Sequence, residues 1–147
     1  MKKSHKELKS EYKRFGIDLD KDNISLYRYE DENGDFDYET YKKAQININK
    51  RKIGFSGPQY FNIHFICDHI ASSIDSPKFG LCHGTRNGSE QISFKQALKK
   101  TGHEVNILGT EISDTATQFP NTIQWDFHNV KEEWKGSVCF IYSNSLD

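Results

Sequence analysis

Net charge is almost absent from this 147-residue chain: 20 Lys and Arg stand against 21 Asp and Glu, a formal balance of -1. Such a chain has no field with which to gather nucleic acid or an anionic membrane, so neither is expected as a partner. Long apolar runs are missing too, and none approaches the ~20 residues a membrane-spanning helix needs. The opening Met1-Lys2-Lys3-Ser4-His5-Lys6 leads into more charge, not into the apolar stretch of a secretory signal, so a cytoplasmic protein is expected. Cysteine is scarce. Cys67, Cys82 and Cys139 are odd in number, far apart and each set in apolar sequence. That excludes a disulfide framework and predicts buried, reduced thiols. What the chain does have is aromatic bulk: ten Phe, seven Tyr and two Trp. With this length, it is enough for one core and argues against a disordered chain.

Composition shifts along the sequence. Residues 1–52 are highly charged and read as an N-terminal extension of helix, hairpin and helix. Residues 53–147 carry the strand-like, glycine-marked segments of an α/β core. In the extension, Ser4 and Glu7 have the spacing of a capping box, and Leu8, Tyr12 and Phe15 give a narrow stripe, predicting a helix over 4–14. Asn33-Gly34 between alternating segments predicts a hairpin with a type I′ turn. From Tyr38 the period becomes helical, with Tyr41, Ala44, Gln45 and Ile48 on one face. A second helix is expected from Pro58 to Ser72 or Ser73, with Phe61, Phe65, Ile66, His69 and Ile70 inward.

Strands and helices then alternate. Strands are expected at 79–82, 104–110, 122–125 and 137–142, with a helix at 89–100 between the first two. That order predicts a partial Rossmann-like parallel sheet with flanking helices.

Ligands of an open parallel sheet bind beyond the carboxyl ends of its strands. After the first strand comes the glycine-marked turn Cys82-His83-Gly84-Thr85-Arg86-Asn87-Gly88, which opens a helix. After the second comes Glu111, 23 residues beyond Gly88, a distance at which nucleotide-binding folds place a ribose-binding acid. After the third comes Asp126, and after the fourth Ser143-Asn144. Four polar strand ends stand in the order a nucleotide-like pocket requires.

These segments resemble the N-terminal half of Rossmann-fold (class I) methyltransferases that use S-adenosylmethionine. Gly80 to Gly88 looks like their glycine loop, Asn106 to Ser113 like their second strand and its acid, Gln124-Trp125-Asp126-Phe127 like their third, and Ser137 to Asn144 like their fourth. The resemblance covers roughly residues 78–147. It implies that Gly84, Thr85 and Arg86 line the methionine part of the cofactor. It implies that Glu111 accepts from the ribose hydroxyls and Ile112 packs on adenine. It implies that Asp126 accepts from the adenine amino group, with Phe127 beside it, and that Ser143 and Asn144 lie nearest the sulfonium. Cys82 stands where the family has a carboxylate, and Arg86 where it has a glycine. The sequence stops where the family adds further strands, an apparent truncation after the fourth strand for which a cut chain, a naturally shortened gene and pairing with another chain all stand open, the last with self-association or a second chain covering the open edge. No catalytic residue is indicated. The alternative is a non-enzymatic remnant or interaction module of the same fold. Glu111 is expected to be partly exposed, so that Glu111→Ala would leave folding almost unchanged.

Other chemistries fit less well. Asp18, Asp20 and Asp22 begin a calcium-loop pattern, but Asn23 and Tyr29 fall where Gly and Glu are needed. His64, Cys67 and His69 lack a second ligand pair for zinc. Cys82 and His83 are neighbours on a strand and point to opposite faces, so they are no nucleophile and base. The loop also lacks the G-x-G-x-x-G spacing of dinucleotide-dependent oxidoreductases.

Overall fold

A computed structural model describes residues 10, 13, 29–55 and 60–144. The helix expected at 4–14 and the strand expected before the Asn33-Gly34 turn lie outside the described residues, save for single positions, as do Asp18, Asp20 and Asp22. Two compact units are formed, 1–38 and 39–147. The charged helix after Tyr38 therefore joins the unit of the sheet, although composition shifts only near residue 52.

In the first unit, Glu30 and Phe36 form an antiparallel bridge. Its turn corrects the type I′ expectation, because only Gly34 has positive φ, at 75°. The Gly34 N–H donates to the Asp31 carbonyl and the Asp31 N–H to the Asp35 carbonyl. The Asp31 carboxylate accepts from the backbone N–H groups of Asn33 and Asp35. Asp31 thus closes the turn from its first position, and only the glycine has to enter the left-handed region.

The second unit is built from α1 (Tyr38–Arg51), α2 (Tyr60–Ser73), β1 (Phe79–His83), α3 (Ser89–Lys100), β2 (Asn106–Glu111), β3 (Thr122–Gln124) and β4 (Phe140–Ser143), with short 3-10 turns at Asp114–Gln118 and Glu132–Trp134. All pairings in the sheet are parallel, in the order β3-β2-β1-β4. That is the α/β architecture the alternation of segments predicts, with the strand order of the first half of a doubly wound sheet. Two strands start later than their apolar runs suggest. Val105 lies outside β2, and Ser137 to Cys139 precede β4. No helix among the described residues is long and apolar enough to cross a membrane.

Strand alternation fixes which side is covered. Cys82, Ile107, Phe140 and Tyr142 share a face and meet Ile63, Cys67 and Ile70 of α2 and Phe94, Ala97 and Leu98 of α3 in one cluster. The Phe94 ring lies 4.9 Å from Tyr142 and 5.7 Å from Phe140. Which face of α2 is buried differs from expectation: Phe61 and Phe65 are 76% and 71% exposed. The helix is apolar on most sides, so its periodicity does not single out the stripe that Ile63 and Cys67 supply. Ile92 likewise faces outward, and Cys139, unlike the buried Cys67 and Cys82, is only partly covered.

Gly80 is required where β1 passes under Phe140. A Cβ there would overlap the Phe140 ring. Gly80→Ala should therefore cost about 1–3 kcal/mol through overpacking, read as a lower urea midpoint. An unchanged midpoint would show that the ring moves aside freely.

Candidate functional site

The chain leaves β1 for β2 and β3 on one side, then returns to place β4 on the other. Such a reversal opens a crevice beyond the carboxyl ends of the strands. A cavity of about 290 Å³ lies there, at the small end of the ~300–1,000 Å³ typical of small-molecule sites. Its strand-end walls are Gly84 and Arg86 after β1, Glu111 and Ile112 at β2, Asp126 and Phe127 after β3, and Asn144 after β4. Tyr41, Gln45, Ile48 and Asn49 of α1 form the facing wall, with His128 at the rim.

Glu111 is the centre of this arrangement, and it corrects an expectation. It is fully buried, not partly exposed. Its Oε1 accepts from Asn49 Nδ2 at 2.7 Å and from the Ser113 N–H at 2.9 Å. Its Oε2 accepts from the Arg86 N–H at 3.0 Å. Three segments distant in sequence are thus joined on one carboxylate. Two carboxylate oxygens offer about four acceptor positions, so roughly one is left for a ligand.

The glycine loop wraps the same carboxylate. Gly84 and Gly88 have φ of 68° and 74°, and Arg86 enters the left-handed region at 38°. A non-glycine residue there is held against its own preference by its surroundings. Arg86 Nε donates to Asn49 Oδ1 at 3.2 Å and Nη1 to the Phe55 carbonyl at 3.3 Å. Its guanidinium lies 5.8 Å from the Phe55 ring centroid. Asn87 Nδ2 donates to the Ile53 carbonyl at 2.8 Å. The loop and the end of α1 are therefore laced together by polar contacts.

At the other end of the pocket, Asp126 accepts from the His128 N–H at 3.1 Å and faces His128 Nδ1 at 2.9 Å. Lys42 Nζ of α1 stands 3.8 Å away. The His128 ring lies edge-on to Tyr41, with centroids 6.4 Å apart. Phe127 is stacked between His83 and His128, at 5.2 and 4.8 Å. Burial holds His83 below its ordinary pKa, and its Nδ1 lies 2.8 Å from Thr110 Oγ1. Beside the pocket, Lys50 pairs with Asp114 at 2.8 Å and keeps that carboxyl below its usual range.

Of the nine residues singled out from the sequence, Gly84, Arg86, Glu111, Ile112, Asp126, Phe127 and Asn144 border the cavity, while Thr85 and Ser143 do not. Thr85 is buried behind the loop, with its N–H donating to the Thr110 carbonyl at 3.1 Å. The Ser143 hydroxyl donates to the His83 carbonyl at 3.2 Å. Sequence reasoning did not assign the wall from α1. Its signal was the helical spacing of Tyr41, Gln45 and Ile48, which reads equally well as a packing stripe. Comparison with protein-family models, curated proteins and solved structures gave no match.

Removing the Glu111 side chain leaves three donors without their acceptor, at roughly 1–3 kcal/mol for each buried group left unmade. Glu111→Ala should therefore lower unfolding stability by about 3 kcal/mol or more, read by chemical denaturation. Asn49→Ala, which removes one donor at the same site, should cost about 1.5–3 kcal/mol. A Glu111→Ala midpoint equal to that of the unaltered chain would contradict the shared-carboxylate geometry.

Proposed function

We propose that the 39–147 unit is an S-adenosylmethionine-binding domain of the methyltransferase type, acting on an acceptor still to be identified. The observation that carries the reading is the convergence of seven strand-end residues, from all four strands, on one cavity. The donor and acceptor set suits an adenosyl group. A buried carboxylate at the end of β2 would accept from ribose hydroxyls. Ile112 and Phe127 offer apolar faces for a purine, and Asp126 offers an acceptor for its exocyclic amine. Asn144, at the end of β4, would lie toward the sulfonium.

When bound, S-adenosylmethionine supplies a methyl group already activated on a sulfonium. The chain's own part would be to hold and orient: fixing the nucleoside at Glu111, Ile112 and Asp126, and excluding water with α1. Positioning of this kind lowers the entropic part of a displacement barrier. The loop lacks the spacing for a dinucleotide, which ranks an oxidoreductase lower.

One geometric condition follows. Glu111 already holds Asn49, so two vicinal hydroxyls can both reach the carboxylate only if the Asn49 amide withdraws. Asn49→Ala should bind the cofactor as tightly as the unaltered chain or up to about tenfold tighter, an effect on the scale of ~1.4 kcal/mol. Glu111→Gln, which keeps the side chain's shape, should weaken binding by about 1.5–3 kcal/mol. Calorimetry with S-adenosylmethionine and S-adenosylhomocysteine measures both. Absence of binding heat, together with no rise in thermal midpoint, would sink the reading.

A second reading has its own support. Asn49, Arg86 and Ser113 already fill three of the acceptor positions of Glu111, so the carboxylate is largely satisfied within the fold. Among the described residues β4 pairs only with β1, and its Ile141 is 61% exposed. A non-enzymatic module of the same fold, whose β4 edge takes a partner strand, would satisfy both. It predicts no cofactor heat, and concentration-dependent association in sedimentation.

A further inference from the structure

Behind the pocket wall lies a second polar cluster that ligand binding does not use. Thr85, Glu90 and Gln91 are 1%, 7% and 2% exposed. The Thr85 hydroxyl oxygen is 2.6 Å from Glu90 Oε2 and also in hydrogen-bond contact with Gln91 Oε1. A hydroxyl has one proton. It cannot satisfy two acceptor oxygens, and two oxygens this close without a proton between them repel.

The remaining bonds decide where the proton goes. Gln91 Nε2 donates to Thr122 Oγ1 at 2.9 Å and faces the Asn121 carbonyl at 3.3 Å. The Thr122 hydroxyl spends its own proton on the Pro120 carbonyl at 3.2 Å. Both atoms facing Nε2 are therefore acceptors, and the Gln91 amide cannot be turned round. Its Oε1 must face Thr85, and it takes the Thr85 proton. The Thr85 oxygen is then an acceptor, so the oxygen of Glu90 facing it must carry a proton.

We propose that Glu90 is a neutral carboxylic acid heading a directional chain, Glu90 to Thr85 to Gln91 to Thr122, and that this chain is a proton-controlled clamp on the glycine loop. It ties the start of α3, the loop and the start of β3 together. Gly84 and Arg86, on either side of Thr85, are pocket walls. Losing the proton leaves Thr85 with two competing acceptors and frees the loop from one of them.

The net effect of the surroundings acts in the same direction, although not every neighbour does. Burial raises the Glu90 pKa above its ordinary value, and Glu111 of β2 adds to the rise, while the Thr85 bond and Arg86 of the loop oppose it. Cys82 of β1 and Tyr142 of β4 also face Glu90: burial raises the pKa of both, and a charge on Glu90 would raise them further. An acid whose folded value is raised contributes fully below its unfolded value. That contribution is lost as pH rises through the folded value, because the unfolded chain gives up its proton first. The clamp therefore loosens toward alkaline pH.

Carbon-labelled glutamate in the full chain tests this without any ligand, so its failure would leave the cofactor reading untouched. Through-bond correlation to the backbone assigns the Glu90 carboxyl in the unaltered protein. It should remain protonated above the ordinary glutamate range. The amide signals of Gly84 to Gly88 should shift with the same titration. Glu90→Gln, which replaces the acid proton by an amide donor, should keep the low-pH thermal midpoint and lose its alkaline decline. Titration of Glu90 within the ordinary glutamate range would overturn the proposal. So would loop amides that do not follow Glu90, or an alkaline decline that persists in Glu90→Gln.

Discussion

One buried carboxylate joins the parts of this site. Glu111 ends β2 with its side chain out of water, and such a group is tolerable only if it is hydrogen-bonded. Its partners come from α1, from the glycine loop and from the turn after β2. None of these segments is fixed by apolar burial at that point. The loop runs in left-handed backbone at Gly84, Arg86 and Gly88. What orders them is the cost of leaving Glu111 or its donors unsatisfied. The sheet supplies the rigid edge, and the carboxylate converts that edge into a walled cavity.

By the same reasoning, α1 is held as a wall. The helix has no buried residue. It is held over the strand ends by Asn49 on Glu111, Arg86 on Asn49, Lys50 on Asp114 and Lys42 near Asp126. Exposed ion pairs such as Lys50–Asp114 contribute about 0–1 kcal/mol, whereas a hydrogen bond to a charged group, such as Asn49 to Glu111, contributes about 1.5–3 kcal/mol.

The fold was legible where pattern and chemistry coincide. α3 begins and ends where Ser89 and Lys100 suggest, and the four strands lie within a few residues of their apolar runs. The strand-end rule then brings Glu111, Asp126 and Asn144 to one edge because a parallel sheet leaves few other places for polar residues after strands. Three things were not legible. The buried stripe of α2 was hidden because that helix is apolar nearly all round. The turn at Asp31–Gly34 departs from type I′ because the Asp31 carboxylate takes the Asn33 and Asp35 N–H groups and only Gly34 enters the left-handed region. The depth of Glu111 was missed because its burial is made by Asn49, 62 residues earlier in the chain, and no local pattern announces so distant a partner.

Chemical-shift mapping with S-adenosylhomocysteine tests the central claim most directly. The Asn49 side-chain amide signal should move as it leaves Glu111, together with the backbone signals of Gly84, Arg86, Ile112 and Phe127, all in one saturating transition. Signals that stay fixed throughout the titration would contradict it. So would perturbation confined to the surface hollow beside Lys95, Lys99 and His103.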